Sequence, residues 1–161
     1  MNKEERRAIR TLVIEKVLKI AEDAKDAAEK ELKAEQDRLK NTPLVERATQ
    51  AWLALTGSDK VPKPDVEVDG YSGNWSVKVC IRKSEGYHDD EAAVRIVRRL
   101  PKAANKVLED LSRRAGVCVY DTTVKAEVDL RMAHLMLADK KDAAAIIEKM
   151  AKEIAKRLLK R

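Results

Sequence analysis

Two histidines, His88 and His134, are the only side chains that ordinarily titrate near neutral pH in this 161-residue sequence. His88 stands beside Asp89 and Asp90, with Glu85 and Tyr87 close by, the densest polar cluster in the chain. Such a group suits proton transfer or cation binding. It lacks recognised metal-ligand spacing, however, and two carboxylates directly before a helical segment are the residues that cap helices. His134, among Met132, Leu135 and Met136, has the setting of a packed side chain. Cys80 and Cys118 fall in segments patterned as strands, where free buried thiols are expected. Five scattered glycines make no phosphate loop, and no Ser or Cys lies in a nucleophile motif. The reading is non-enzymatic, with no catalytic residue, metal or cofactor.

The best-patterned chemistry is cationic. At 100° per residue, Arg95, Arg98, Arg99, Lys102, Lys106 and Arg113 fall on one side of a helix over residues 89–116. Ala93, Ile96, Val97, Leu100, Ala104, Val107, Leu108, Leu111 and Ala115 fall on the other. Both stripes keep phase across Pro101, which favours a kinked helix; the alternative is a strand over 94–97 with the helix starting at Pro101. A second basic face, Lys149, Lys152, Lys156 and Lys160, lies opposite an apolar stripe of Ile147, Met150, Ala151, Ile154, Ala155 and Leu158. Cations one helical turn apart can meet several phosphates or carboxylates together.

Charge distribution agrees. Of a net +6, residues 1–41 contribute +1, residues 42–90 contribute −2 and residues 91–161 contribute +7. The implied partners are an acidic protein surface or a nucleic-acid backbone. With 44% hydrophobic and 39% charged residues and no Phe, the chain has an aliphatic core and a densely charged surface. No apolar run reaches the ~20 residues of a membrane span. The acidic, early-amphipathic N-terminus is unlike a secretory signal, so no membrane partner and a cytoplasmic location are expected.

The elements that must position these residues follow in order. Asn2 and Glu5 form a capping-box variant that opens a long helix running to about Lys40. Ile9, Leu12, Val13, Ile14, Val17, Leu18 and Ile20 make its first half broadly apolar, whereas alanines and charges dominate its second. Residues 1–41 are thus expected to be an arm through which the chain forms a homodimer, and residues 42–161 an α+β domain. Thr42-Pro43 restarts a helix with Leu44, Ala48, Ala51, Trp52 and Leu55 inward, closed by Gly57. Val66 and Val68, then Trp75, Val77, Val79 and Ile81, alternate with polar residues about a turn at 70–74, a β-hairpin. Val117–119 and then Val124, Ala126, Val128, Leu130 and Met132 read as a second hairpin, and Asp139 or Asp142 caps a last helix. Residues 133–138 receive no assignment. The expected fold is α+β: an N-terminal helical hairpin with a long first helix, then two β-hairpins forming a four-stranded, mainly antiparallel sheet covered by two amphipathic helices.

Two family patterns bear on this reading. Pro64-Asp65 before a hairpin resembles restriction-type nucleases, which place an acid, then an acid and a lysine on the next strand. Lys78 supplies the lysine, but Ser76 stands where the second carboxylate belongs, so the metal ligand is missing and the nuclease reading falls. The order of the 42–57 helix, hairpin and following helix resembles the double-stranded RNA-binding domain. That family carries lysines at the start of its last helix; here Asp89-Asp90-Glu91 occupies that place and would repel RNA. The likeness is topological and transfers no residues. A small accessory or inhibitor protein of phage type that blocks or sequesters a macromolecular partner fits best, with nucleic-acid binding through the same ridge as the alternative.

Overall fold

A computed structural model describes residues 2–71, 73–82, 92–133 and 143–160. The elements are α1 (Lys3–Leu39), α2 (Leu44–Thr56), β1 (Asp65–Tyr71), β2 (Asn74–Arg82), β3 (Ala92–Arg99), α3 (Lys102–Ala115), α4 (Asp121–Met132) and α5 (Ala143–Leu159). They divide into two compact units. One comprises residues 1–29 with 113–161, the other residues 30–112, so α1 and α3 contribute residues to both.

The first unit is helical. Its core joins Ile9, Val13, Ile14 and Val17 of α1 to Val124, Val128 and Met132 of α4 and to the inner stripe of α5. That stripe is the one expected: Ile147, Met150, Ala151, Ile154, Ala155 and Leu158 are all buried. The capping box forms as read. Asn2 Oδ1 accepts from the Glu5 amide at 2.8 Å, and the Asn2 amide donates to the Glu5 carboxylate at 3.3 Å. Polar ties surround the core: Arg6 donates to the Met132 carbonyl at 2.5 Å, Arg10 to Asp129 at 2.5 Å and Arg131 to Glu153 at 3.0 Å. The Arg10 hydrogen bond holds the Asp129 carboxyl below its ordinary range and raises the guanidinium.

The second expected hairpin is not found. Residues 121–132 are helix α4, and residues 117–120 form neither strand nor helix. The physical reason lies in a spacing of four. Val124, Val128 and Met132 satisfy both an alternating strand and one face of a helix, and only the residues between them separate the two. Leu130 is 58% exposed, as a helix requires and a half-buried strand forbids.

The second unit is a three-stranded antiparallel sheet in the order β1-β2-β3, with helices on one face. Among the described residues the expected four strands are therefore three, although the α+β class stands. The first hairpin forms as read, with Val68 opposite Val77 and Val66 opposite Val79 across a turn in which Gly73 has φ +79°. Val68, Trp75, Val77, Val79, Ile81 and Val94 share the buried face with Leu44, Ala48 and Trp52 of α2 and Leu108 of α3. Leu32 and Leu39, from the end of α1, pack on the same cluster. Gly57 ends α2 in the left-handed conformation, φ +66°, its amide donating to the Leu53 carbonyl at 2.9 Å. Leu55, expected inward, is instead exposed.

The continuous helix over residues 89–116 is also not found. Residues 92–99 are strand β3, and α3 begins at Lys102. Pro101 is the cause. A residue before proline is driven to extended backbone, so Leu100 resists the helix. Within a helix, Pro101 would also lack the amide needed by the Val97 carbonyl and would press its ring on it. Val94, Ile96 and Val97 favour the pleated alternative, which β2 is available to pair.

Candidate functional site

Each basic residue of the expected ridge has a definite place. Arg95, Arg98 and Arg99 are on β3, Lys102 and Lys106 are one turn apart at the start of α3, and Arg113 is near its end. Arg113 belongs to the first unit's residue range. The first five lie in the second unit and are all exposed. Val97 and Val107, expected to be buried with the apolar stripe, are 54% and 46% exposed.

Strand register sorts the sheet's two faces. Arg95 pairs with Cys80 and Arg99 with Ser76, so both side chains rise from the face opposite the apolar core. Arg98 pairs with the core residue Val77 but stands near the strand's end, in water. On the same outward face β1 carries Asp65, Glu67 and Asp69, opposite Cys80, Lys78 and Ser76. The face therefore runs from acidic at β1 to basic at β3. In between, β2 spends its own cations on β1: Lys78 lies 3.9 Å from Glu67, and Arg82 lies 3.9 Å from Asp65.

The cations of β3 and of the first turns of α3 have no such partners among the described residues. Arg95, Arg98, Arg99, Lys102 and Lys106 make no ion pair with any described residue. Elsewhere Arg10, Arg38, Lys40, Lys125, Arg131 and Arg157 each meet a carboxylate. Five cations in twelve residues without local neutralisation repel one another, which is tolerable in water and turns favourable when an anion arrives.

A staple fixes the strand-to-helix junction that carries them. Asn105 Oδ1 accepts from the Trp75 amide at 2.7 Å, and its Nδ2 donates to the Gly73 carbonyl at 2.5 Å. Glu109, one turn on, accepts from Trp75 Nε1 at 3.2 Å, while the Leu100 amide donates to the Trp75 carbonyl at 2.9 Å. Lys102 and Lys106 flank Asn105, so the staple that holds α3 to the β1–β2 turn also places the helix's two cations. Sequence reading missed Asn105, Glu109 and the edge position of β3. Pro101 was the available signal, since it marks where an extended segment must give way to a helix.

The remaining candidates are dispersed. Lys149, Lys152 and Lys156 on α5 and Lys160 just past its end are exposed as expected, with Lys152 lying 3.5 Å from Glu148. The Glu85–Asp90 cluster, His134 and the caps Asp139 and Asp142 lie outside the described residues. Among the described residues no three His, Cys, Asp or Glu side chains gather as a cation site, and no helix is long and apolar enough to cross a membrane. Cys80 is buried, as expected, on β2. Cys118 is not: it is exposed in a 430 Å³ cleft of the first unit lined by Arg113, Tyr120 and Thr123 among others.

No protein-family model matches this chain, and neither a curated protein nor a solved structure matches it.

Proposed function

We propose that the chain is a non-enzymatic binding protein that engages an acidic macromolecular partner, blocking or sequestering it, through the cations of β3 and the first turns of α3. The observation that carries this reading is the grouping of five exposed cations, Arg95, Arg98, Arg99, Lys102 and Lys106, on one strand and the helix start that follows it, none of them in an ion pair among the described residues. An acidic protein segment suits the strip better than a duplex lying across the sheet. The basic edge is narrow, and two strand spacings away, roughly 10 Å, the carboxylates of β1 would oppose a broad polyanion. Self-association through α1 belongs to the same proposal, supported by Leu12, 46% exposed on the helix's N-terminal half. Light scattering at high micromolar concentration tests it, and a monomer there removes it.

Affinity purification with the intact chain tests the basic strip. Arg95→Glu/Arg99→Glu/Lys102→Glu should lose the partner, whereas Lys149→Glu/Lys156→Glu, on α5, should keep it. Retention by the first variant removes the strip from consideration.

One observation favours a second reading, a nucleic-acid backbone. The helix that follows β3 opens with Lys102 and Lys106 rather than with Asp89-Asp90-Glu91, so the expected repulsion at its start does not arise. The order α2-β1-β2-β3-α3, with both helices on one sheet face, also matches the double-stranded RNA-binding topology in outline. Duplex binding at ~50 mM salt that weakens steeply as salt rises supports this reading, and no mobility shift there ends it.

A further inference from the structure

We propose that the outer edge of β3 receives an extended acidic segment of a partner protein as a fourth strand of the sheet. This deepens the acidic-partner reading and rests on it. A sheet edge presents a row of backbone N–H and C=O groups with no ladder partner. The two edges here differ. On β1 the end of α1 lies close enough for Gln36 Nε2 to donate to the Val68 carbonyl at 3.4 Å. Among the described residues, Ala92–Arg99 of β3 make backbone hydrogen bonds only toward β2, and none caps their outward groups. The edge is eight residues long, about 27 Å of extended chain, enough for a peptide to pair along several rungs.

Charge selects the occupant. Arg95 and Arg99 project from one face of the edge strand and Arg98 from the other, so a paired strand meets arginine on both faces. A second copy of β3 would set arginines against arginines, and like charges directly opposed across strands are unfavourable. The same arginines favour a strand bearing Glu or Asp at alternate positions, through charge-assisted bonds to side chains standing next to the ladder. Val97, 54% exposed between Arg95 and Arg99, offers an apolar contact to a β-branched residue between two acids. Repulsion thus closes the edge to self-pairing, and attraction opens it to one chemistry of partner. Lys102 and Lys106 extend the positive field past the strand's end.

The test uses the full chain and a labelled peptide of alternating Glu and Val, nine residues long by design (~9, to cover the eight of β3). Binding is followed by fluorescence anisotropy at ~50 mM salt. A second peptide of the same sequence carries N-methyl groups on alternate amides, on either register, which keeps its charge and removes its capacity to pair. The expected result is binding of the first peptide, at least tenfold weaker binding of the methylated forms, and slowed amide exchange confined to β3. Arg95→Glu/Arg99→Glu should abolish binding while the far-ultraviolet circular dichroism is unchanged. Equal binding of methylated and unmethylated peptides overturns strand addition but leaves the basic strip as an electrostatic site. No peptide binding alongside a salt-sensitive shift of duplex nucleic acid overturns the proposal in favour of the other partner class. Binding of neither overturns both.

Discussion

Asn105→Ala cuts the staple between α3 and the β1–β2 turn. The Asn105 amide is oriented by its partners, since the Trp75 N–H requires an acceptor and the Gly73 carbonyl a donor. Truncation loses both bonds in a half-buried site. Each is worth about 1 kcal/mol net, and stranding a partly shielded donor adds up to about 1 more. Alanine returns about 0.5 kcal/mol of helix propensity, leaving a loss of about 2 kcal/mol. Both tryptophans, Trp52 and Trp75, lie in the sheet-containing unit, so intrinsic fluorescence in a urea titration reports on that unit directly. With a slope of about 2 kcal/mol per molar, the midpoint should fall by about 1 M. Asn105→Asp, which keeps the acceptor and loses the donor, should fall between wild type and alanine. A midpoint change under about 0.2 M for Asn105→Ala refutes the staple and, with it, the account of how Lys102 and Lys106 are placed.

Other outcomes follow from single contacts. Gly70→Ala should destabilise the same fluorescence transition by about 1–3 kcal/mol, because a Cβ there meets the Trp75 ring at 2.4–2.8 Å and the packed indole must move. Leu130→Glu should stay within about 0.5 kcal/mol of wild type, whereas Val128→Glu, at a fully buried position, should prevent folding of the helical unit as seen by circular dichroism. The Asp129 carboxyl, held below its ordinary value of 3.8 by the Arg10 hydrogen bond, contributes stability above that pH. The contribution is lost as pH falls through the lower folded value. Thermal melts of wild type and Asp129→Asn should therefore differ near neutrality and converge as acidification carries the pH below the lowered Asp129 value; a gap that widens in acid contradicts the pairing.

How much was legible in the sequence varied with how local the signal was. The capping box of Asn2 and Glu5, the glycine stop at Gly57, the first hairpin and the inward stripe of α5 each depend on residues a few positions apart, and each forms as read. The two misread segments fit both periods. In α4 the apolar residues recur every four positions, which strand and helix share, and Leu130 decided the matter only through its exposure. In β3 the apparent helical phase across Pro101 was coincidence between a strand and the helix after it, while the Leu100-Pro101 backbone restriction acted locally and prevailed. The basic residues were visible by type. Their grouping was not, because strand pairing with β2 sets which arginines share a face, and β2 is distant in sequence.

Amide hydrogen exchange of residues 92–99 in the free chain, resolved by NMR, tests most directly whether these cations stand on an open strand edge. Residues bonded to β2 should exchange slowly and the intervening ones quickly, a two-residue alternation ending at Leu100, whose amide is held by the Trp75 carbonyl. Uniform protection across residues 96–99, as a helix running into α3 would give, contradicts the account.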